Sequence, residues 1–152
     1  MLTIHGRTAK QLSKTPANWL AIQHIRELRD QQFPSTLIIG NGDVQNRQHG
    51  EKLAKKYHLD GVMIGRSIFN DPFAFSKSSP WQSMTEQQRI KLYKKHVELF
   101  AKTWTKGERK VYTLNKFCKI YINGFDGAKE LREKLMSAKD PGDLLNLLRM
   151  QT

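Results

Sequence analysis

The chain has 152 residues, 38% of them hydrophobic and 26% charged, enough to bury a core and too apolar for disorder to be the expectation. Its 26 Lys+Arg against 14 Asp+Glu leave a net charge of +12, which draws in polyanions and makes nucleic acid the natural partner, unless the lysines serve only solubility. No apolar run approaches the length of a membrane span, and the single cysteine, Cys118, excludes an internal disulfide and has no metal-ligand spacing to another Cys or His.

In chain order, Met1-Leu2-Thr3-Ile4-His5 has no basic stretch followed by a long apolar one, so no secretory signal is read and the cytoplasm is the expected location. Leu2-Thr3-Ile4 is a first β-type run, and Trp19, Ile22, Ile25 and Leu28 then recur at helical spacing between Pro16 and Phe33-Pro34. A second run, Thr36 to Ile39, precedes a helix that Asn46 can cap and that turns Leu53 inward. Gly61 to Ile64 is the third run. All three runs are apolar without alternation, as in strands buried on both faces of a parallel sheet. The β-α-β-α-β order predicts an α/β fold, either a doubly wound sheet or a piece of a (β/α)8 barrel.

From Pro80 the β-type runs stop. Ser83-Met84-Thr85-Glu86 opens a long amphipathic helix with Ile90, Tyr93, Val97 and Phe100 on one face, and Gly107 breaks it. A further helix carries Val111, Leu114, Phe117, Ile120 and Tyr121, with Gly124 and Gly127 separating it from a helix over Ala128 to Ala138. Asp140-Pro141 starts the last one, because Asp caps well and Pro suits the first helical position. Residues 1–79 hold 11 Lys+Arg and 6 Asp+Glu, and residues 80–152 hold 15 and 8, so the helical part is the more basic. In and just before its second helix Arg109, Lys110, Lys116 and Lys119 are interleaved with Tyr112 and Phe117. Each aromatic taken singly reads as core, whereas the group together can meet phosphates and stack on bases.

Each β-type run ends in a polar, glycine-containing segment: His5-Gly6-Arg7, Gly40-Asn41-Gly42-Asp43 and Gly65-Arg66. In a βα barrel the strand C-termini build the active site, and the last loops commonly hold a phosphate. Glycine lets backbone approach an anion, and Arg66 would add a charge-assisted contact. Singly these motifs are ordinary turns. Three in equivalent places point to one site.

Leu2-Thr3-Ile4-His5-Gly6-Arg7-Thr8, Gly40-Asn41-Gly42-Asp43-Val44 and Asp60-Gly61-Val62-Met63-Ile64-Gly65-Arg66 together resemble the tRNA-dihydrouridine synthase family. The resemblance continues through Asn70-Asp71-Pro72-Phe73, where Asp71 is an extra residue, and through Lys119-Ile120-Tyr121-Ile122-Asn123-Gly124-Phe125 with Leu131-Arg132. It implies an enzyme that uses flavin mononucleotide and NADPH to reduce the C5–C6 double bond of uridines in tRNA. It also implies the last three βα units of a TIM (β/α)8 barrel over residues 1–79, binding the flavin, and a helical-bundle tRNA-binding domain over 80–152. Carried across, His5 would contact the flavin near its ring, Asn41 and Asp43 the ribityl chain and phosphate end, and Gly65 and Arg66 the phosphate. Arg7 would sit near the pocket, on substrate, and Lys116, Lys119, Tyr121 and Arg132 would meet tRNA.

The family's barrel also begins with strands, a flavin-contacting lysine and a proton-donating cysteine that these residues do not match. The chain therefore reads as a fragment or truncated form, with a separate N-terminal half of the barrel as an expected partner and no catalytic residue of its own. Cys118 lies inside a helical pattern and is expected to be structural. Two other readings stay open: a non-catalytic RNA-binding module derived from such an enzyme, and another flavin- or phosphate-binding barrel of the dihydroorotate dehydrogenase type, against which the basic helical tail argues.

Overall fold

The computed structural model describes residues 1–11 and 13–151. The chain divides into two compact units, Met1–Ser79 and Pro80–Thr152.

The first unit is α/β: β1 (Leu2–His5), α1 (Trp19–Gln32), β2 (Ile38–Asn41), α2 (Arg47–Lys56) and β3 (Gly61–Met63). The strands form one parallel sheet in the order β1-β2-β3, with Ile4 level with Gly40 and Gly40 level with Val62. Successive side chains alternate between faces, so Ile4, Ile38, Gly40 and Val62 share one face and Thr3, Ile39 and Gly61 the other. The first face packs on the helices. Trp19, Ile22, Ile38, Val44 and Leu59 form a core, with Ile4, Leu53, Tyr57, Val62 and Ile64 against it. Gly40 is small because Trp19 lies on it; a Cβ there would come within 2.5 Å of the indole.

Asn46 caps α2 as expected, and α1 starts at a cap, Asn18, that the sequence reading did not name. Asn18 Oδ1 accepts from the Ala21 N–H at 3.0 Å, and Asn46 Oδ1 from the His49 N–H at 2.9 Å. At the opposite end of the sheet Asp60 accepts from the Ile38 N–H at 2.7 Å and from Arg29 at 3.0 Å, which joins the entry of β2 to α1. These bonds, the backbone one foremost, hold the Asp60 carboxyl below its usual range.

One expectation is corrected. The strands are not buried on both faces: Leu2 is 54% and Met63 43% exposed, and only β2 alternates buried with half-buried residues. The described strands supply one packed face, and β1 and β3 each have a neighbour on one side only.

The second unit is helical: α3 (Glu86–Thr103), α4 (Asn115–Tyr121), α5 (Ala128–Met136) and α6 (Pro141–Arg149), with α3 packed on α4 and α6, and α5 on the same two. Ile90, Tyr93 and Val97 of α3 are buried, as are Leu114, Cys118, Leu135, Leu144 and Leu148 of the segments around it. The expected single helix over 111–121 is instead a 3₁₀ turn, Val111–Leu114, leading into α4. In a 3₁₀ turn positions i and i+3 eclipse, which keeps Val111 and Leu114 both facing inward. Arg109 and Lys110 consequently precede the helical turns rather than lie within them. Among the described residues no helix is long and apolar enough to cross a membrane.

Candidate functional site

The segments that follow β1, β2 and β3 converge at one end of the sheet on a cavity of about 830 Å³, lined among others by His5, Arg7, Asn41, Asp43, Gly65 and Arg66. All six residues expected there from the strand ends are thus brought together. Parallel pairing does this, because it places every strand's C-terminus at the same edge, with His5 level with Asn41.

Arg7 organises the site. Its side chain is 4% exposed, and its guanidinium ion-pairs with Asp43 Oδ2 while Nε donates to the Thr15 carbonyl. Asp43 Oδ2 also accepts from the Ala17 N–H at 2.9 Å. The Arg7 hydrogen bond is the main reason that the Asp43 carboxyl stays below its ordinary value, with Ala17 and Arg66 contributing and partial burial opposing. Asp43 is therefore ionised at neutral pH and keeps Oδ1 as an acceptor for a ligand hydroxyl. Arg7 Nη1 is buried without a hydrogen-bond partner among the described residues.

The backbone allows this arrangement at Gly42 and Asp43, which adopt φ of 133° and 55°. A side chain at Gly42 would bring its Cβ within 2.5 Å of Ala17 Cβ. The Gly6 N–H donates to the Asn41 carbonyl at 2.9 Å, and the Asn18 N–H to the Gly6 carbonyl at 2.7 Å, tying β1's exit to β2's. Gly65 is open: a Cβ there would meet nothing within 4 Å. Beside it Arg66 Nη1 donates to Ser13 Oγ at 2.7 Å. Arg66 and open backbone at Gly65 give the cavity donors suited to an anion, and Asp43 and Asn41 give it acceptors suited to hydroxyls.

The sequence reading missed Ser13, the Thr15 carbonyl, the Ala17 N–H and Ser67, whose hydroxyl donates to the Val44 carbonyl. None belongs to a strand-end motif, and a backbone donor carries no residue signature. Thr8, Ala9 and Ser13 of the segment after β1 also line the cavity.

The residues expected to meet tRNA belong to the second unit and do not all reach its surface. Lys116 and Lys119 are exposed. Arg132 is half-buried and donates to the Ile122 carbonyl at 2.8 Å. Tyr121 corrects the expectation: at 8% exposed it stacks on Tyr93 at 5.2 Å, meets Trp81 edge-on and shares a hydrogen bond with His96 Nδ1, so its ring belongs to the core. Cys118 is 1% exposed, and burial pushes its thiol up to about 11. Among the described residues no cluster of three or more His, Cys, Asp or Glu is placed to hold a metal ion.

The whole chain, residues 1–152, matches the family model for dihydrouridine synthase (Dus). It is 43% identical over 147 residues to a probable tRNA-dihydrouridine synthase of Staphylococcus aureus, and 42% over 147 residues to one of Staphylococcus epidermidis. It is 43% identical over 148 residues to the probable tRNA-dihydrouridine synthase 2 of Bacillus subtilis. These alignments take in 97% of this chain but 44%, 44% and 45% of the three relatives, so the chain spans less than half of their length.

Proposed function

The chain belongs to the dihydrouridine synthase family, and on that premise we propose that it is the portion of a tRNA-dihydrouridine synthase that holds flavin mononucleotide by its phosphate end and grips tRNA. The three βα units would be the last of a (β/α)8 barrel, with residues 80–152 as a helical tRNA-binding domain. The observation that carries the reading is the convergence of His5, Asn41, Asp43, Gly65 and Arg66 on one cavity.

The cavity suits that cofactor in both volume and donor set: an arginine beside unobstructed glycine for phosphate, and an ionised carboxylate with an amide for ribityl hydroxyls. Bound there and reduced by NADPH, the flavin would supply the hydride for the uracil C5–C6 bond. His5 would hold the ring edge by a hydrogen bond, Asn41 and Asp43 the ribityl chain, and Gly65 with Arg66 the phosphate. Arg7 would fix Asp43 and sit near the substrate end of the pocket. The chain's one cysteine is buried in the second unit, so the proton for the uracil would come from a group on another part of the enzyme. This chain alone would accordingly bind without turning over. The positive charge of residues 80–152, with Lys116, Lys119 and Arg132, would hold the tRNA backbone.

The test is the visible spectrum of the purified chain after incubation with flavin mononucleotide and gel filtration. Retained flavin that is lost in Arg66→Ala supports the assignment. A colourless protein that still binds tRNA would reduce the reading to an RNA-binding module.

A further inference from the structure

We propose that the outward face of the 3₁₀ turn and α4, formed by Tyr112, Lys116 and Lys119, seats an unpaired nucleotide, with Tyr112 stacking on the base and the two lysines meeting flanking phosphates. The inference rests on the RNA reading above and deepens it, because it assigns the base contact to one ring of that group and restricts it to unpaired nucleotides.

The face is defined by burial. Val111, Leu114, Cys118 and Tyr121 point inward, at 7%, 1%, 1% and 8% exposure. Tyr112 of the 3₁₀ turn and Lys116 and Lys119, one turn apart on α4, lie between these buried positions and are all exposed. Tyr112 is 65% exposed, far more than a tyrosine needs in order to keep its hydroxyl in water.

The surroundings say what such a ring would meet. From Trp104 to Lys119 there are five cations, Lys106, Arg109, Lys110, Lys116 and Lys119, and one acid, Glu108. The Glu108 carboxylate accepts from the Lys106 backbone N–H at 3.1 Å, within its own loop. Arg109 lies 5.5 Å over the ring of Trp104, itself 38% exposed, and Lys116 lies 4.9 Å over Phe117. Centres of protein–protein interfaces are depleted of charge, so an exposed tyrosine in a segment this rich in cations suits a polyanion with flat, stackable groups better than an apolar protein surface. In a duplex both faces of each base are covered by its neighbours. A side chain can therefore stack only on a base that is unpaired or splayed out.

The experiment measures binding of fluorescent tRNA to the full chain by anisotropy across a salt series, with unstructured RNA and blunt duplex RNA as competitors. Tyr112→Ala is expected to weaken tRNA binding by about tenfold to a hundredfold without changing the salt slope, since it removes a stack and no charge, and Tyr112→Phe to restore it. Lys116→Gln and Lys119→Gln are each expected to lower the salt slope by about one. Because all three side chains are exposed, melting curves of the variants should match the parent. Full affinity in Tyr112→Ala, or duplex competing as well as the unstructured strand, overturns the proposal; if the lysine variants still weaken binding, the RNA reading survives it. A parent chain that does not bind tRNA at low salt removes both.

Discussion

Gly42 and His96 show how single residues carry the two units. Gly42 has a φ that side-chain-bearing residues rarely adopt and a Cβ position already taken by Ala17. Gly42→Ala is therefore expected to destabilise the chain by about 1–3 kcal/mol in urea unfolding and to abolish flavin retention; parent-like values in both would show that the β2 exit is more tolerant than its geometry indicates. His96 packs against Tyr93, Phe117 and Tyr121, and burial lowers its pKa. The folded state thus takes up this proton less readily than the unfolded chain, so stability is full above the unfolded value of about 6.5 and falls as pH drops through it. Asp43 acts in a different window: its lowered pKa contributes stability above about pH 3.9 that is lost only in stronger acid. The melting temperature should consequently fall between pH 7.5 and 5.5, and fall less in His96→Gln. An equal fall in both proteins would assign the acid sensitivity elsewhere. The strand-end motifs made His5, Asn41, Asp43, Gly65 and Arg66 legible in the sequence, whereas Ser13 and the Ala17 N–H were not, since their role comes from where the loop after β1 folds back.

At the scale of elements, local chemistry located most boundaries. Asn18, Asn46, Thr85 and Asp140 each cap the helix they precede, because a short side-chain oxygen satisfies an otherwise unpaired N–H. The cap of α3 is reciprocal: Thr85 Oγ1 accepts from the Gln88 N–H, and Gln88 Oε1 from the Thr85 N–H at 2.8 Å. Thr85→Ala should cost about 1 kcal/mol in urea unfolding, and an unchanged midpoint would mean that packing on α4 and α6 alone defines the start of α3. Where the element reading failed, tertiary packing made the choice. Val111 and Leu114 face inward with either helical geometry, so their pattern could not separate a 3₁₀ turn from an α-turn. Apolar runs likewise announce strands without stating how many neighbours those strands have.

At the scale of the whole molecule, the first unit leaves one side of β1 without a strand among the described residues, next to an apolar groove of about 530 Å³ lined by Met1, Leu2, Ile25, Leu28 and Phe33. An open parallel edge with exposed leucine templates pairing with another chain. Sedimentation of the purified chain should therefore show self-association that rises with concentration and weakens in Leu2→Lys; a monomer at all concentrations would count against an adhesive edge. By itself the sequence determined the α/β start and the helical continuation, the net positive charge and the six strand-end residues, because periodicity, charge and glycine placement are local properties. Only the tertiary structure decided that Arg7 holds Asp43, that Ser13 reaches Arg66, that Tyr121 faces the core and that Tyr112 faces solvent. Each of these depends on which side of an element meets another, and that is resolved when apolar faces are buried together rather than by any residue's own preference.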